Sequence, residues 1–274
     1  MSNPSPLVPY ASIRVASTSR EQDLSYLALH DLAQVGTELG HEYRVVGGTM
    51  VSLLVEVYAV TGVPPRATAD ADLAARFEVV SDPALPALLK ARGYTQEDGS
   101  RFGRGLTTAE AEGYGDTETS GMRPAIDVLM PSYTGHHQPN QPAGELVVDA
   151  FPGLALALAH SPVQVQVNAT LTTGVSYDIP VPLPPPQSAL CVKLLAWIER
   201  KAPKDAVDIW RLLAVCAAAG VTPSSWKLTG AQKDACTVLK TFTIPGRGGL
   251  ADASRSPGDQ AQIRALALKV APGC

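Results

Sequence analysis

Tyr43-Arg44-Val45-Val46-Gly47-Gly48-Thr49 decides how this chain folds: four strand-forming residues run into a double glycine, and an apolar stretch from Thr49 to Val60 follows. Aromatic and β-branched residues suit a pleated strand, and paired glycines make a tight turn. Thr61-Gly62 and Pro64-Pro65 then stop the apolar stretch, which reads as a buried helix. In this order of strand, glycine turn and helix, the backbone N–H groups of the turn and of the helix start can receive a phosphate, with the Thr49 hydroxyl as a further donor.

Working outward, Asp70 to Val80 reads as a second strand and Pro83 to Arg92 as a helix stopped by Gly93. Upstream, Thr18 and Glu21 form a capping box. It opens a helix through Leu24, Leu27, Leu32, Val35 and Leu39, closed by Gly40. An α/β unit results. Gln96 to Arg123, rich in Gly, Glu and Thr, is either a weak hairpin or a mobile insertion. Ala125 to Met130 is a strand, and Pro131 to Gly144, with His136-His137, is read as a solvated loop. Strand-like runs follow at Glu145 to Phe151, Val163 to Val167 and Val175 to Val181.

Pro182 to Pro186 marks a boundary between a mixed-sheet part, residues 1–182, and a helical part, residues 183–274. In the latter, Leu190, Leu194, Leu195 and Ile198 make one apolar side, and Pro203 precedes a second helix bearing Val207, Trp210, Leu213 and Val215. Ser224 to Phe242 and Asp259 to Val270 add two more helices, separated by the Gly-rich Pro245 to Gly249.

The composition narrows the class of protein. A chain of 274 residues with 45% hydrophobic content can bury a substantial core. The net charge of −4 carries no chain-wide basic signature, so any nucleic-acid contact must be local. Cys191, Cys216, Cys236 and Cys274 lie far apart without a C-x-x-C pair or a spaced His, which excludes a zinc knuckle and fits a reducing compartment. Met1 to Pro9 lacks a charged start followed by an apolar core, and no run approaches the ~18 apolar residues of a membrane span. A cytoplasmic, membrane-free monomer is expected. No G-x-S-x-G elbow supports a hydrolase.

Asp70 and Asp72, two apart on a strand, share one face, with Ala71 and Leu73 on the other. At ~4 Å and an effective dielectric of about 20, two carboxylates repel by roughly 4 kcal/mol. Compensation comes either from a divalent metal, since Mg²⁺ is commonly held by one or two carboxylates with substrate phosphates, or from solvent and pairing with Arg66 or Arg76. Asp127, mid-strand between Ile126 and Val128, gives a third acid a place. Lys193 sits at an otherwise apolar helix start, where its charge meets a ligand or acid or snorkels to water. Asp205 and Asp208 share a helix face, while Lys204 and Asp208 are spaced for a surface pair of only ~0.3–0.5 kcal/mol.

Gly47-Gly48-Thr49, the Arg-x-Thr-x-Asp-x-Asp-Leu run from Arg66 to Leu73, and Lys193-Leu194-Leu195-Ala196 with Arg200, Lys204-Asp205 and Asp208 together resemble the AbiEii-type nucleotidyltransferase toxins of the DNA polymerase beta-like superfamily. The resemblance covers Val45 to about Leu213. It implies an α+β fold: a nucleotidyltransferase-like mixed β-sheet flanked by helices, with a helical C-terminal region. It implies transfer of a nucleotide from a nucleoside triphosphate with Mg²⁺, or Mn²⁺, to an acceptor hydroxyl. Some related toxins use the 3′ end of tRNA, block translation, and are opposed by a cognate antitoxin. On this resemblance Asp70, Asp72 and Asp127 hold metal, with Asp127 a ligand or the base. Gly47, Gly48, Thr49, Arg66, Thr68, Lys193, Lys204 and Asp208 meet the nucleotide, and Lys193 and Asp205 join the catalytic set. For an RNA acceptor the cations available are Arg66, Lys193, Arg200, Lys201, Lys204 and Arg211, with Arg101, Arg104 and Arg123 on the unassigned segment. Two alternatives stay open: transfer to a small-molecule or protein hydroxyl, and an inactive nucleotide-binding interaction module.

Overall fold

In the computed structural model, which describes residues 10–115, 121–246 and 248–273, strand β1 (Tyr10–Ala16) precedes helix α1 (Arg20–Leu39). The Met1 to Pro9 leader and Cys274 lie outside the described residues. Ser19, one residue after the expected Thr18, caps α1 by accepting from the Gln22 backbone N–H, and Gly40 ends it in the left-handed region at φ 67°. The Gln22 side chain accepts from the Thr18 backbone N–H at 2.9 Å and not from that of Ser19, so the expected capping box of Thr18 and Glu21 is replaced by a single Ser19 cap.

β2 (Tyr43–Val46) runs into α2 (Gly47–Val57), then β3 (Asp70–Ala75), α3 (Phe77–Val80) and α4 (Ala84–Ala91). The expected strand from Asp70 to Val80 stops at Ala75 because its partner β2 begins at Tyr43, which pairs with Ala75. Beyond that point the chain turns into α3, with Val79 and Val80 donating to the Arg76 carbonyl. The unassigned segment contains a hairpin of β4 (Thr95–Asp98) and β5 (Arg101–Gly103), then α5 (Thr108–Glu112), which Thr107 and Glu110 cap reciprocally.

Next come β6 (Ala125–Pro131), β7 (Gln138–Ala143), β8 (Leu146–Phe151), α6 (Leu154–Ala159), β9 (Val163–Thr170) and β10 (Ser176–Leu183). The expected loop from Pro131 to Gly144 therefore contains a strand, β7, which pairs antiparallel with β8. The helical end comprises α7 (Pro186–Arg200), α8 (Pro203–Ala218), α9 (Gly230–Phe242), α10 (Gly249–Ala253) and α11 (Pro257–Val270). Proline at the first turn starts α7 and α8, where no intrahelical donor is lost.

The strands form two sheets. The larger has the order β2-β3-β6-β5-β4, with β8 continuing along β6 beyond β5 and β7 outside β8; the smaller is β1-β9-β10. β3 and β6 run parallel, and β6 and β8 likewise, so the fold is a mixed α/β arrangement. α1 packs against β3 and β6 of one sheet and β10 of the other. α2 is apolar on most sides, burying Met50, Val51, Leu53, Leu54 and Val55, because it lies between the sheet and helices α7 and α8. One apolar core runs from α1 through the sheet to α11, crossing the change from strands to helices between Leu183 and Pro186 without a break. Cys191, Cys216 and Cys236 are buried free thiols within it.

Candidate functional site

The register of the large sheet sets the site. Asp72 on β3 stands opposite Asp127 on β6, and Asp127 stands opposite Arg101 on β5. Farther along β6, Leu129 faces Asp149 on β8. Alternation puts Ala71 and Leu73 fully in the core, which leaves Asp70 and Asp72 on the opposite face. There Asp72, Arg101, Asp127, Asp149, Lys193 and Arg200 line a cleft of about 400 Å³.

Gly47 opens α2 at φ 71°, and a Cβ there would lie 1.6 Å from Asp72 Oδ2. The glycine is therefore what lets the Asp72 carboxylate rest against the start of the helix. No side chain caps this end of α2, so its first N–H groups stay available to an anion. Thr49 is different. Its hydroxyl is buried and donates to the Asp70 carbonyl at 2.8 Å, also meeting Ser25 Oγ at 2.8 Å. It fastens α2 to β3 and lies outside the lining of the cleft that holds Asp72.

The three acids repel one another. Burial and then the neighbouring Asp70 and Asp127 push the Asp72 carboxyl up to about 8. Burial, with Asp70 and Asp149 beyond it, pushes Asp127 up to about 6 against the opposing pull of Arg101. Arg101 Nη1 lies 3.6 Å from Asp70 Oδ2 and 3.4 Å from Asp127 Oδ2. Thr68 Oγ1 donates to Asp70 Oδ1 at 2.7 Å. Arg101 thus supplies positive charge between two of the acids, and Asp72 forms no ion pair among the described residues.

Below the cleft, α7 and α8 carry a buried ion network. Lys193 Nζ is 2.8 Å from Asp208 Oδ2 and 3.4 Å from Asp205 Oδ1. Arg66 Nη1 reaches Asp208 at 3.0 Å, and Arg200 grips Asp205 through two nitrogens at 3.0 and 3.1 Å. Asp205 and Asp208 are fully buried. Neither carboxylate lines the cleft; Asp205 holds Lys193 and Arg200, and Asp208 holds Lys193, the cations that do line it. Lys204 is exposed outside the cleft wall.

Donor chemistry fits a divalent cation. Among the described residues no three His, Cys, Asp or Glu side chains are gathered to hold a metal by themselves. Mg²⁺ needs only one or two carboxylates when phosphate oxygens complete its shell, and Asp70 and Asp72 supply those beside an uncapped helix start.

The family model for the nucleotidyl transferase AbiEii toxin of type IV toxin–antitoxin systems matches residues 31–273. This chain belongs to that family. Membership makes it an enzyme of nucleotidyl transfer and implies an antitoxin partner. Among solved structures, an antigenic nucleotidyltransferase-like protein from Paracoccidioides brasiliensis is similar at a TM-score of 0.45 and 16% identity, over 93% of this chain and 96% of that one. Among curated proteins none matches in sequence. In the described residues of this AbiEii family member, no helix is long and apolar enough to cross a membrane.

Several residues of the cleft carry no signal in the motifs. Asp149, Phe151 and Asn140 come from β7 and β8, and Arg101 from the hairpin. The Asp98-Gly99 dipeptide is the one local mark of that hairpin, with Gly99 at φ 47°. His136 is exposed, as a solvated loop residue should be, and meets Glu199 at 3.1 Å, whereas His137 is half-buried, meeting Asp149 at 3.2 Å and stacking on Phe151 at 4.2 Å. Of the cations offered to RNA, Arg104 is buried between Asp31 and Glu110 at 2.7 and 2.8 Å, a structural tie. Arg123 pairs with Glu97 at 2.9 Å. Lys201 lies over the Trp197 ring at 3.8 Å.

Proposed function

We propose that the cleft around Asp72 binds a nucleoside triphosphate with Mg²⁺, or Mn²⁺, and transfers its nucleotidyl group to the 3′ end of tRNA, halting translation until an antitoxin intervenes. The observation that carries this reading is the convergence of Asp72 and Asp127 with Lys193 and Arg200 on one cleft at the uncapped start of α2, with Asp70 joined to it through Arg101 at 3.6 Å. Acids that repel one another favour a cation, and the adjoining cations and helix dipole favour a polyphosphate.

Asp70 and Asp72 would hold the metal, which when bound neutralises phosphate oxygens. Lys193 and Arg200, fixed by Asp205 and Asp208, orient the triphosphate, and the Gly47-Gly48 turn gives backbone N–H groups to its oxygens. The acceptor oxygen forms a bond to the α-phosphorus in line with the leaving group. The bond from that phosphorus to the bridging oxygen breaks, and its electron pair departs with pyrophosphate. The acceptor's proton passes to Asp127, whose raised pKa suits a base working near neutral pH. The cytoplasm, where nucleotide and tRNA meet, is the compartment this chemistry requires.

The test is incubation of the full chain with each of the four α-labelled triphosphates and Mg²⁺, against total RNA and separately against protein extract. Label entering the tRNA band is the expected result. Label entering only protein or a small hydroxyl compound would move the reading to that acceptor, and no label with any triphosphate would favour an inactive binding module.

A further inference from the structure

A second cleft, of about 320 Å³, lies on the other side of α2 and shares no lining residue with the first. Arg14 of β1, Arg66 and Thr68 of the segment before β3, Ser52 of α2 and Arg211 of α8 form its polar wall. Three guanidinium groups face one carboxylate, that of Glu56.

Arg211 is the informative member. It is 5% exposed, and its Nε has no hydrogen-bond partner. Both terminal nitrogens share the Ser52 hydroxyl at 3.3 Å. The nearest carboxylate oxygen, Asp208 Oδ1, is 3.7 Å away. Asp208 is already engaged by Lys193 at 2.8 Å and Arg66 at 3.0 Å, so one carboxylate serves three cations. A buried guanidinium has five donors to satisfy, and leaving them unmet is costly. Arg66 spends only Nη1 on Asp208, and Arg14 is exposed and forms no ion pair among the described residues. The wall therefore presents planar donors and hydroxyls without matching acceptors, the arrangement that recognises a tetrahedral oxyanion in bidentate fashion.

We infer that this second cleft is a binding site for a phosphate-type oxyanion, supplied as free polyphosphate or as the phosphodiester of a polynucleotide acceptor. The site stands apart from the nucleotide cleft but is joined to it by Thr68, which belongs to the second wall while its hydroxyl holds Asp70 Oδ1.

The experiment titrates pyrophosphate into the full chain, in chelator without metal, by calorimetry. Wild type is expected to bind. Arg14→Ala, at an exposed position that leaves folding intact, weakens binding by about fivefold. Arg211→Lys, which keeps the charge and loses the planar fork, weakens it by about tenfold. Asp72→Asn leaves it unweakened. Absence of binding, or binding lost in Lys193→Gln and untouched in Arg14→Ala and Arg211→Lys, overturns the inference. A parallel arm measures tRNA binding: loss of RNA affinity in Arg14→Ala with competition by pyrophosphate identifies a polynucleotide phosphate, and unchanged RNA affinity beside intact pyrophosphate binding identifies free polyphosphate. Neither arm uses nucleotide transfer, so its failure is separable from failure of the proposed activity.

Discussion

Gly47→Ala perturbs the hinge of the whole site. Its φ of 71° is in the left-handed region, where a side chain costs about 1–2 kcal/mol. The added Cβ would stand 1.6 Å from Asp72 Oδ2 and 2.5 Å from its Cγ. The carboxylate must retreat by more than an ångström, toward Asp127 across the ladder, and such overpacking costs about 1–3 kcal/mol. Together these give a loss of about 2–5 kcal/mol, which for a chain of this size lowers Tm by roughly 4–10 °C. Because ~1 Å of misplacement can cost about 100-fold in rate, transfer should fall by about that factor even well below the melting temperature. Gly48→Ala is the comparison: its φ is not positive, and its Cβ meets the end of the Arg66 side chain and, at 3.1 and 3.2 Å, Thr68 Oγ1 and Cβ, without touching Asp72. Thermal unfolding and initial rates of labelled-nucleotide incorporation are measured on both. If Gly47→Ala transfers nucleotide within twofold of wild type, Asp72 does not need the position this reasoning gives it.

The remaining predictions concern the charges. Asp208→Asn leaves Lys193 and Arg66 short of a buried partner and should cost about 3–5 kcal/mol; urea unfolding checks this, and an unchanged midpoint would show the network to be dispensable. Arg101→Ala removes the cation between Asp70 and Asp127 and should tighten Mn²⁺ binding in the absence of nucleotide, seen by electron paramagnetic resonance; equal or weaker binding would deny Arg101 that place. Asp72 titrates near 8 in the folded chain against about 4 unfolded. The folded state therefore holds the extra proton between those values, and its stabilising effect, full below pH 4, is lost as pH rises toward 8. Melting temperature should decline across that window in wild type and decline less in Asp72→Asn; parallel profiles would refute the assignment.

How much of this was readable in the chain follows from how local each feature is. Val46-Gly47-Gly48 marks its own turn, and alternation alone puts Asp70 and Asp72 on one face, because both depend on neighbours in sequence. The end of β3 at Ala75 depends on where β2 starts, and β1 depends on a partner in β9, with Tyr10 paired to Gln164; neither boundary has a local mark. Asp205 and Asp208 announce a shared helix face, but their burial under Lys193, Arg66 and Arg200 arises only when α7 and α8 dock. Arg101 is offered by the sequence only as a cation for RNA, and its place among the acids has no local mark because its hairpin strands are short, so Asp98-Gly99 lacks a flanking apolar pattern to support it.

The central claim is that the acids of this cleft drive nucleotide transfer to tRNA. The most direct measurement is incorporation of α-labelled nucleotide into purified tRNA by wild type and Asp72→Asn, side by side with Mg²⁺. The account predicts labelled tRNA from wild type and a loss of about 100-fold or more in the variant, which keeps its fold. Equal labelling by the two proteins would contradict it.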